Sequence, residues 1–348
     1  MSLVGSSNPE YVVARVRARR GMLYSTEEYR KLTRMSPPEI ARFMEESTYE
    51  AEINALGSRH GGVDLIEYAL NANLAKQFEE ILDWSEGELY DLIVRYLRKF
   101  DAGNVKTVIR GIYTDASREA IETDLIRAGE FDDRLIRRLL EAESIEAVVE
   151  ILEGTIYGEP LAAAYEEYEE TDVLVPLENA IDRAFYERLL GNLPRGEPVR
   201  QYEAFLKAEI DFRNADNALR LARSGAEIDP AEYFIDGGDL FDRDTLARLA
   251  RDLDELVEYI ADSDYADELG PALRELEVAD SLIAFEHATD TALLNYGDKL
   301  GTRHPVSVTP VISYILAKER EVENIRAIAR GKEAGLSAAE IEEDLVIT

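Results

Sequence analysis

Apolar residues return every three or four positions along most of the chain. In DDRLIRRLLEAESIEAVVEIL, Leu135, Leu139, Ile145, Val148, Val149 and Leu152 fall at helical spacings, and DTLARLARDLDELVEYI does the same with Leu246, Leu249, Leu253 and Val257. Side chains spaced this way line one face of a helix, and that face has to be covered. The periodic runs are interrupted at MSPPEIARF, LDWSEGELY, GTIYGEPL, NLPRGEP, IDGGDLFD and GTRHPVSVTP, each a cluster of the residue types that break helices and make turns. Alternating, strand-like runs are few. The pattern predicts an all-α chain of roughly fifteen short helices with no sheet of consequence.

A longer period overlies the helical one. FDAGNVKTVIRG contains Asp101, Asn104 and Arg110, and the same skeleton returns as Asp211, Asn214 and Arg220 and as Glu321, Asn324 and Arg330, at steps of 110 residues. A helix ending in a small or acidic stretch and a tyrosine occurs as FMEESTY, ILEGTIY and YIADSDY, placing Tyr49, Tyr157 and Tyr265 at steps of 108. A third block reads EYALN from Glu67, ENAID from Glu178 and EHATD from Glu286, at steps of 111 and 108. Three blocks in one order at nearly one period predict three tandem helical repeats, over 1–114, 115–224 and 225–348. Like units that meet head to tail form a ring where the rotation closes. The expected shape is a pseudo-threefold funnel with a central cavity, suited to an axle, a ring or a threefold partner.

Projected at 100° per residue, Val105, Val108, Ile109 and Ile112 make one apolar stripe, with Asp101 near it, Asn104 at its edge and Arg110 on the far side. Ala215, Ala218, Leu219 and Ala222 take the stripe in the second copy, and Ile325, Ile328 and Ala329 in the third. An acid or Asn placed like this accepts from helix-end N–H groups or satisfies buried backbone at a turn. The arginines have two readings, a solvated face paired with carboxylates or a recurrent cation offered to a partner. Arg110, Arg220, Arg330, Asn104, Asn214 and Asn324 are therefore the candidate partner-binding residues.

Charge and chemistry narrow the function further. The chain carries 72 acids against 39 cations, a net charge of −33, and its cations are 31 Arg and 8 Lys. Keeping the weakly hydrated guanidinium while loading the surface with carboxylates resembles proteins of a salt-rich cytoplasm. The acidity answers the solvent, and it makes nucleic acid or an anionic membrane surface a poor direct ligand. The chain has no Cys, so disulfides, thiol nucleophiles and Cys-ligated metals are out, which fits an intracellular protein. MSLVGSSNPEYVVARVRARR lacks an apolar signal core, and no run approaches the ~20 apolar residues of a membrane span. The expectation is a soluble chain that can sit beside a membrane.

Candidate catalytic chemistry is thin. Glu67, Glu178 and Glu286 with Asp182, Asp290 and His287 hint at a carboxylate-bridged di-metal bundle, but such a site needs Glu-x-x-His on two helices and that spacing is missing. His60, His287 and His304 are scattered, DGGD at 236–239 reads as a turn, and no phosphate-binding G-x-x-x-x-G-K-[ST] occurs. No catalytic, cofactor-binding or metal residue is assigned.

The blocks and both termini resemble a known family. YVVARVRARRGMLYSTEEYRKLTRMSPPEIARFMEESTY at the start, FDAGNVKTVIRG, and PVISYILAKEREVENIRAIARGKEAGLSAAEIEEDL at the end are similar to the C subunit of the archaeal A-type (bacterial V-type) ATP synthase, the counterpart of the vacuolar ATPase d subunit. The resemblance covers almost the whole chain. It implies three similar all-helical domains in a funnel. It also implies a non-catalytic rotor part on the cytoplasmic face of the cell membrane, with no cofactor and no small-molecule substrate. One face would sit on the membrane proteolipid ring and the cavity would receive the central shaft made by the D and F subunits, passing torque between them. The departures are the acid load and an enlarged acidic loop at SGAEIDPAEYFIDGGDLFD, 224–242, both read as salt adaptation. The alternatives are a free-standing helical-repeat scaffold unrelated to rotary ATPases and, further off, a carboxylate metalloenzyme.

The acid load generates a direct expectation. Because the Debye length shrinks to about 3 Å at 1 M salt, self-repulsion is screened there and the fold should tighten. The melting temperature followed by circular dichroism should rise steadily as KCl is raised from dilute buffer to molar concentrations. A melting temperature indifferent to salt would separate this acidity from solvent adaptation.

Overall fold

A computed structural model describes residues 7–224, 230–278, 282–343 and 345. Among these the chain is helical throughout, with no strand. In order the helices are α1 (Pro9–Arg20), α2 (Thr26–Leu32), α3 (Pro37–Met44), α4 (Glu50–Leu56), α5 (Gly62–Trp84), α6 (Glu88–Leu97), α7 (Lys99–Tyr113), α8 (Arg118–Asp124), α9 (Asp133–Leu140) and α10 (Ile145–Ile151). There follow α11 (Gly158–Thr171), α12 (Val175–Leu190), α13 (Glu197–Ser224), a 3₁₀ turn (Pro230–Tyr233), α14 (Arg243–Leu249), α15 (Leu253–Ala261), α16 (Ala266–Val278), α17 (Leu282–Arg303), α18 (Thr309–Glu333) and α19 (Ala338–Glu343). That exceeds the roughly fifteen expected from periodicity, because helices as short as α2, α4 and α8, seven residues each, hold too few turns to show a period. Residues 225–229 of the acidic loop and Asp344 of the C-terminal run lie outside the described residues.

The chain forms two compact units, residues 1–151 with 306–348, and residues 152–305. In the first, α5 and α18 pack side by side. Ile66, Leu70, Phe78 and Ile81 from α5 and Ile312, Ile315, Val322 and Ile325 from α18 are fully removed from water or nearly so, and burial on this scale is what holds short helices that would be marginal alone. Helix α1 lays Val12, Val13 and Val16 into this core. Capping boxes start α2 and α3, where Ser25 pairs with Glu28 and Ser36 with Glu39, satisfying helix-end donors reciprocally.

The same hook appears twice in this unit. Ser117 caps α8 by accepting from Ala120 N, and Ser337 caps α19 by accepting from Glu340 N. Each short helix then presses an isoleucine onto a glycine of the long helix before it. A Cβ on Gly111 would lie 2.4 Å from Cγ1 of Ile121, and one on Gly331 2.8 Å from Cγ1 of Ile341. Only a residue without a side chain lets these helices approach so closely.

In the second unit α13 is the spine. Phe212, Ala215, Ala218 and Leu219 meet Leu246 and Leu249 of α14, Leu256 and Ile260 of α15, and Leu269 and Ala272 of α16 in one core. The alanines bring neighbouring helices close to the axis of α13. Hairpins α11–α12 and α16–α17 complete the unit.

The two glycines of α7 make a paired test. Gly103 has open space where its Cβ would be, so Gly103→Ala should stabilise the chain by about 0.5–1 kcal/mol through helix propensity. Gly111→Ala gains the same propensity but collides with Ile121, and should cost about 1–3 kcal/mol net. Denaturant unfolding of the two variants should shift the midpoint in opposite directions.

Candidate partner-binding positions and the locks beneath them

Asp211, on α13 and fully buried, faces the loop that follows the helix. Its Oδ2 accepts from Asp239 N at 2.9 Å and its Oδ1 from Leu240 N at 3.0 Å, and Tyr265 adds a side-chain hydrogen bond. One turn on, Asn214 clasps Ile235 in both senses, its Nδ2 donating to the carbonyl and its Oδ1 accepting from the N–H, each at 2.9 Å. Irregular backbone carries donors and acceptors that cannot be buried unpaired. The acid and the amide supply those partners, so the loop can lie against the core. A Cβ on Gly238 would sit 2.0 Å from Oδ1 of Asp211; the glycine is what lets backbone reach the carboxylate.

The first unit repeats the lock. Asp101 accepts from Glu130 N at 2.8 Å and Phe131 N at 3.1 Å, and Asn104 clasps Ile126 at 2.8 and 2.9 Å. Gly129 takes the part of Gly238, with a hypothetical Cβ 2.1 Å from Oδ1 of Asp101. The glycines lie outside the Asp101, Asn104 and Arg110 skeleton and its second copy. Their signal is a shared Gly-acid-apolar triplet, Gly129-Glu130-Phe131 and Gly238-Asp239-Leu240.

Glu321 on α18 makes the third lock, with partners from the other end of the chain. Its Oε2 accepts from Tyr24 N at 2.6 Å and its Oε1 from the Tyr49 hydroxyl at 2.8 Å. The extra methylene of Glu extends the reach, and the residue before Tyr24 is Leu23 in place of a glycine. Lys318 is added here, its Nζ 2.7 Å from Glu321 Oε1 and 2.9 Å from the Tyr49 hydroxyl, and both charged side chains are only 1% exposed. Burial pushes the Lys318 amine below its usual range while Glu321 pulls it back. Losing one partner of such a pair leaves a charge stranded, at a cost of about 3–5 kcal/mol. Asn324 is buried beside them and shares a hydrogen bond with Tyr29. The recurring tyrosine thus meets the recurring acid, Tyr265 with Asp211 and Tyr49 with Glu321.

The arginines lie outside the locks. Arg220 Nε donates to Oε1 of Glu286 at 2.6 Å, and its side chain stays 55% exposed. Arg330 grips both carboxylate oxygens of Glu67 and reaches Oδ1 of Asp124 at 2.8 Å; it is 50% exposed, whereas Glu67 is 6% exposed. A fork on a carboxylate is the strong form of an ion pair. Arg110 is exposed near the end of α7. Two sets of repeated residues that look separate in the sequence, the Arg of one block and the Glu of another, are therefore one constellation. No cluster of three or more His, Asp or Glu suited to a metal ion occurs among the described residues, and no helix among them is long and apolar enough to cross a membrane.

The described residues define an all-helical protein in which recurring buried acids fasten irregular segments to long helices. The chain belongs to the ATP synthase (C/AC39) subunit family, whose model matches residues 12–344. It is 82% identical over 348 residues to the A-type ATP synthase C subunit of Halorubrum lacusprofundi, covering 100% of both chains. It is 70% identical over 347 residues to the protein of that name from Haloferax volcanii, again covering 100% of each. It is 36% identical over 346 residues to that of Methanococcoides burtonii, covering 98% of this chain and 95% of the other. The very similar relatives come from halophilic archaea, which accords with the acid load.

The locks carry a pH signature. Burial pushes the carboxyls of Asp101 and Asp211 up to about 6 from 3.8, against the backbone hydrogen bonds that favour the ionised form. Each folded-state carboxyl binds its proton more tightly than the unfolded one. The resulting stability is complete below pH 3.8 and is lost as pH rises through about 6, with a slope of up to about 1.4 kcal/mol per pH unit per site. Unfolding free energies measured from pH 4 to 6 should fall more steeply with pH in the native chain than in Asp101→Asn, Asp211→Asn. Identical slopes would place both groups at ordinary values.

Proposed function

We propose that the chain is a non-catalytic central-stalk subunit of an A-type ATP synthase rotor, coupling the membrane proteolipid ring to the shaft made by the D and F subunits. The observation that carries this reading is the end-to-end family match over residues 12–344. In this reading the protein works at the cytoplasmic face of the membrane. Ion flow turns the ring, and the subunit hands torque to the shaft and so to ATP synthesis. Three wedges, 1–114, 115–224 and 225–348, close as a funnel around the shaft end. The repeated locks support this, because a torque-bearing part must resist shear and buried charge-assisted hydrogen bonds, worth about 1.5–3 kcal/mol each, stiffen helix junctions.

The six repeated positions divide between two tasks. Asn104, Asn214 and Asn324 act on a partner through the wedge they hold in shape. Arg110, Arg220 and Arg330 reach outward and contact the shaft or ring directly, with Glu286 holding Arg220 and Glu67 holding Arg330 in position.

Large interfaces spread their energy, so a single rim cation contributes little. Each Arg→Ala change alone should weaken capture of purified shaft and of purified ring by less than about threefold, within the ~1 kcal/mol of an exposed pair. The Arg110→Ala, Arg220→Ala, Arg330→Ala combination should weaken capture of at least one of them by more than about tenfold. Undiminished capture of both by the triple variant would remove the arginines from the interface. A small-angle scattering envelope without an axial cavity would count against the funnel.

A further inference from the structure

The start of the chain does not share the charge of the rest. Residues 7–42 hold eight cations and four acids, in a protein of net charge −33. Several of these cations also lack acids. Arg19 takes Glu80 and Lys31 takes Glu27, but Arg15 and Arg17, on the outward side of α1, make no ion pair among the described residues. Where carboxylates outnumber cations 72 to 39, bare arginines on one helix are a departure from the surface around them.

The face is held rigid. The Arg15 guanidinium stacks over Tyr11 at 4.6 Å and over Trp84 at 4.7 Å, and Arg19 lies over the same Trp84 at 4.2 Å. Stacking uses the flat faces of a guanidinium and leaves the donors on its edge to bind carboxylate. Two large apolar side chains bracket the cations, Tyr11, 49% exposed, and Met22, 58% exposed, just past the helix end.

We propose that the outward face of α1, with Tyr11, Arg15, Arg17 and Met22, is a docking surface for an acidic protein segment. Complementary charge selects the partner, and the acidic surface elsewhere repels it from wrong seats. At molar salt, charges act only in contact, so Tyr11 and Met22 supply the apolar burial that holds the complex. A lipid surface fits poorly. An interfacial helix must sink its apolar face into the headgroup boundary, and Val12, Val13 and Val16 of α1 are already buried in the core. The inference is independent of the rotor assignment.

Trp84 is the single tryptophan of the chain, so its emission reports on this site. The full-length protein, at the lowest salt that keeps it folded, is titrated with a Glu-rich helical peptide, with its Gln-for-Glu counterpart and with phosphatidylglycerol vesicles. The acidic peptide should shift Trp84 emission saturably, the Gln peptide should not, and the shift should fade as salt rises. Arg15→Glu, Arg17→Glu should weaken peptide affinity about tenfold or more. Tyr11→Ala, Met22→Ala, which spares the cations, should weaken it less at low salt and more at high salt, and both variants should keep the native melting curve. No response to the acidic peptide, equal affinity in the charge-reversed variant, or tighter binding of vesicles than of peptide would each overturn the proposal. If charge reversal unfolds the chain, Arg15→Gln, Arg17→Gln takes its place with the same expected loss.

Discussion

The fold is arranged around buried carboxylates that accept the N–H groups of passing loops. Long helices bury apolar faces readily, but the irregular segments between them bring backbone donors that have no water to turn to. Asp101 and Asp211 meet two such donors each, Glu321 meets one and a tyrosine hydroxyl. The adjacent Asn104 and Asn214 satisfy a neighbouring residue in both senses. Without them each loop would have to stand away from its helix and open the core beneath it. The close approach of Gly129 and Gly238 follows from the same need, because a short aspartate reaches backbone only where no Cβ intervenes.

The third lock departs from the other two in a way that physics accounts for. A glutamate replaces the aspartate, its reach makes a glycine unnecessary, and Lys318 neutralises it at full burial. The donor of its backbone hydrogen bond is Tyr24, 297 positions away. The N-terminal segment thereby does for α18 what the following loop does for α7 and α13. Thr33 adds a second tie across the same gap, its hydroxyl donating to Glu342 at 3.0 Å.

Charge is apportioned by depth. The surface carries the acid load that a salt-rich solvent tolerates, the locks of α7 and α13 keep Asp101 and Asp211 where burial raises their proton affinity, and the half-exposed arginines sit between, each of two gripping a recurring glutamate. A guanidinium suits that boundary because it sheds water easily and keeps its fork geometry. The bare arginines of α1, Arg15 and Arg17, stand apart from this arrangement, and stacking on Tyr11 and Trp84 holds Arg15 for an external carboxylate.

The order of residues was enough to specify the helical character, the breaks between helices, the recurrence of Asp101, Asn104 and Arg110 with their counterparts, and the family. It also placed Asp101 beside the apolar stripe and Arg110 away from it. These are legible because periodicity records local burial, and a helix repeats its faces every few residues. What the residues touch was settled only when the chain folded. Arg330 meets Glu67 across 263 positions, Lys318 is buried although the chain has few lysines, and Gly129 and Gly238 matter because of a carboxylate about thirty positions before each. Such partners are chosen by the path of loops through space, and a contact between distant residues leaves no period in the chain that makes it.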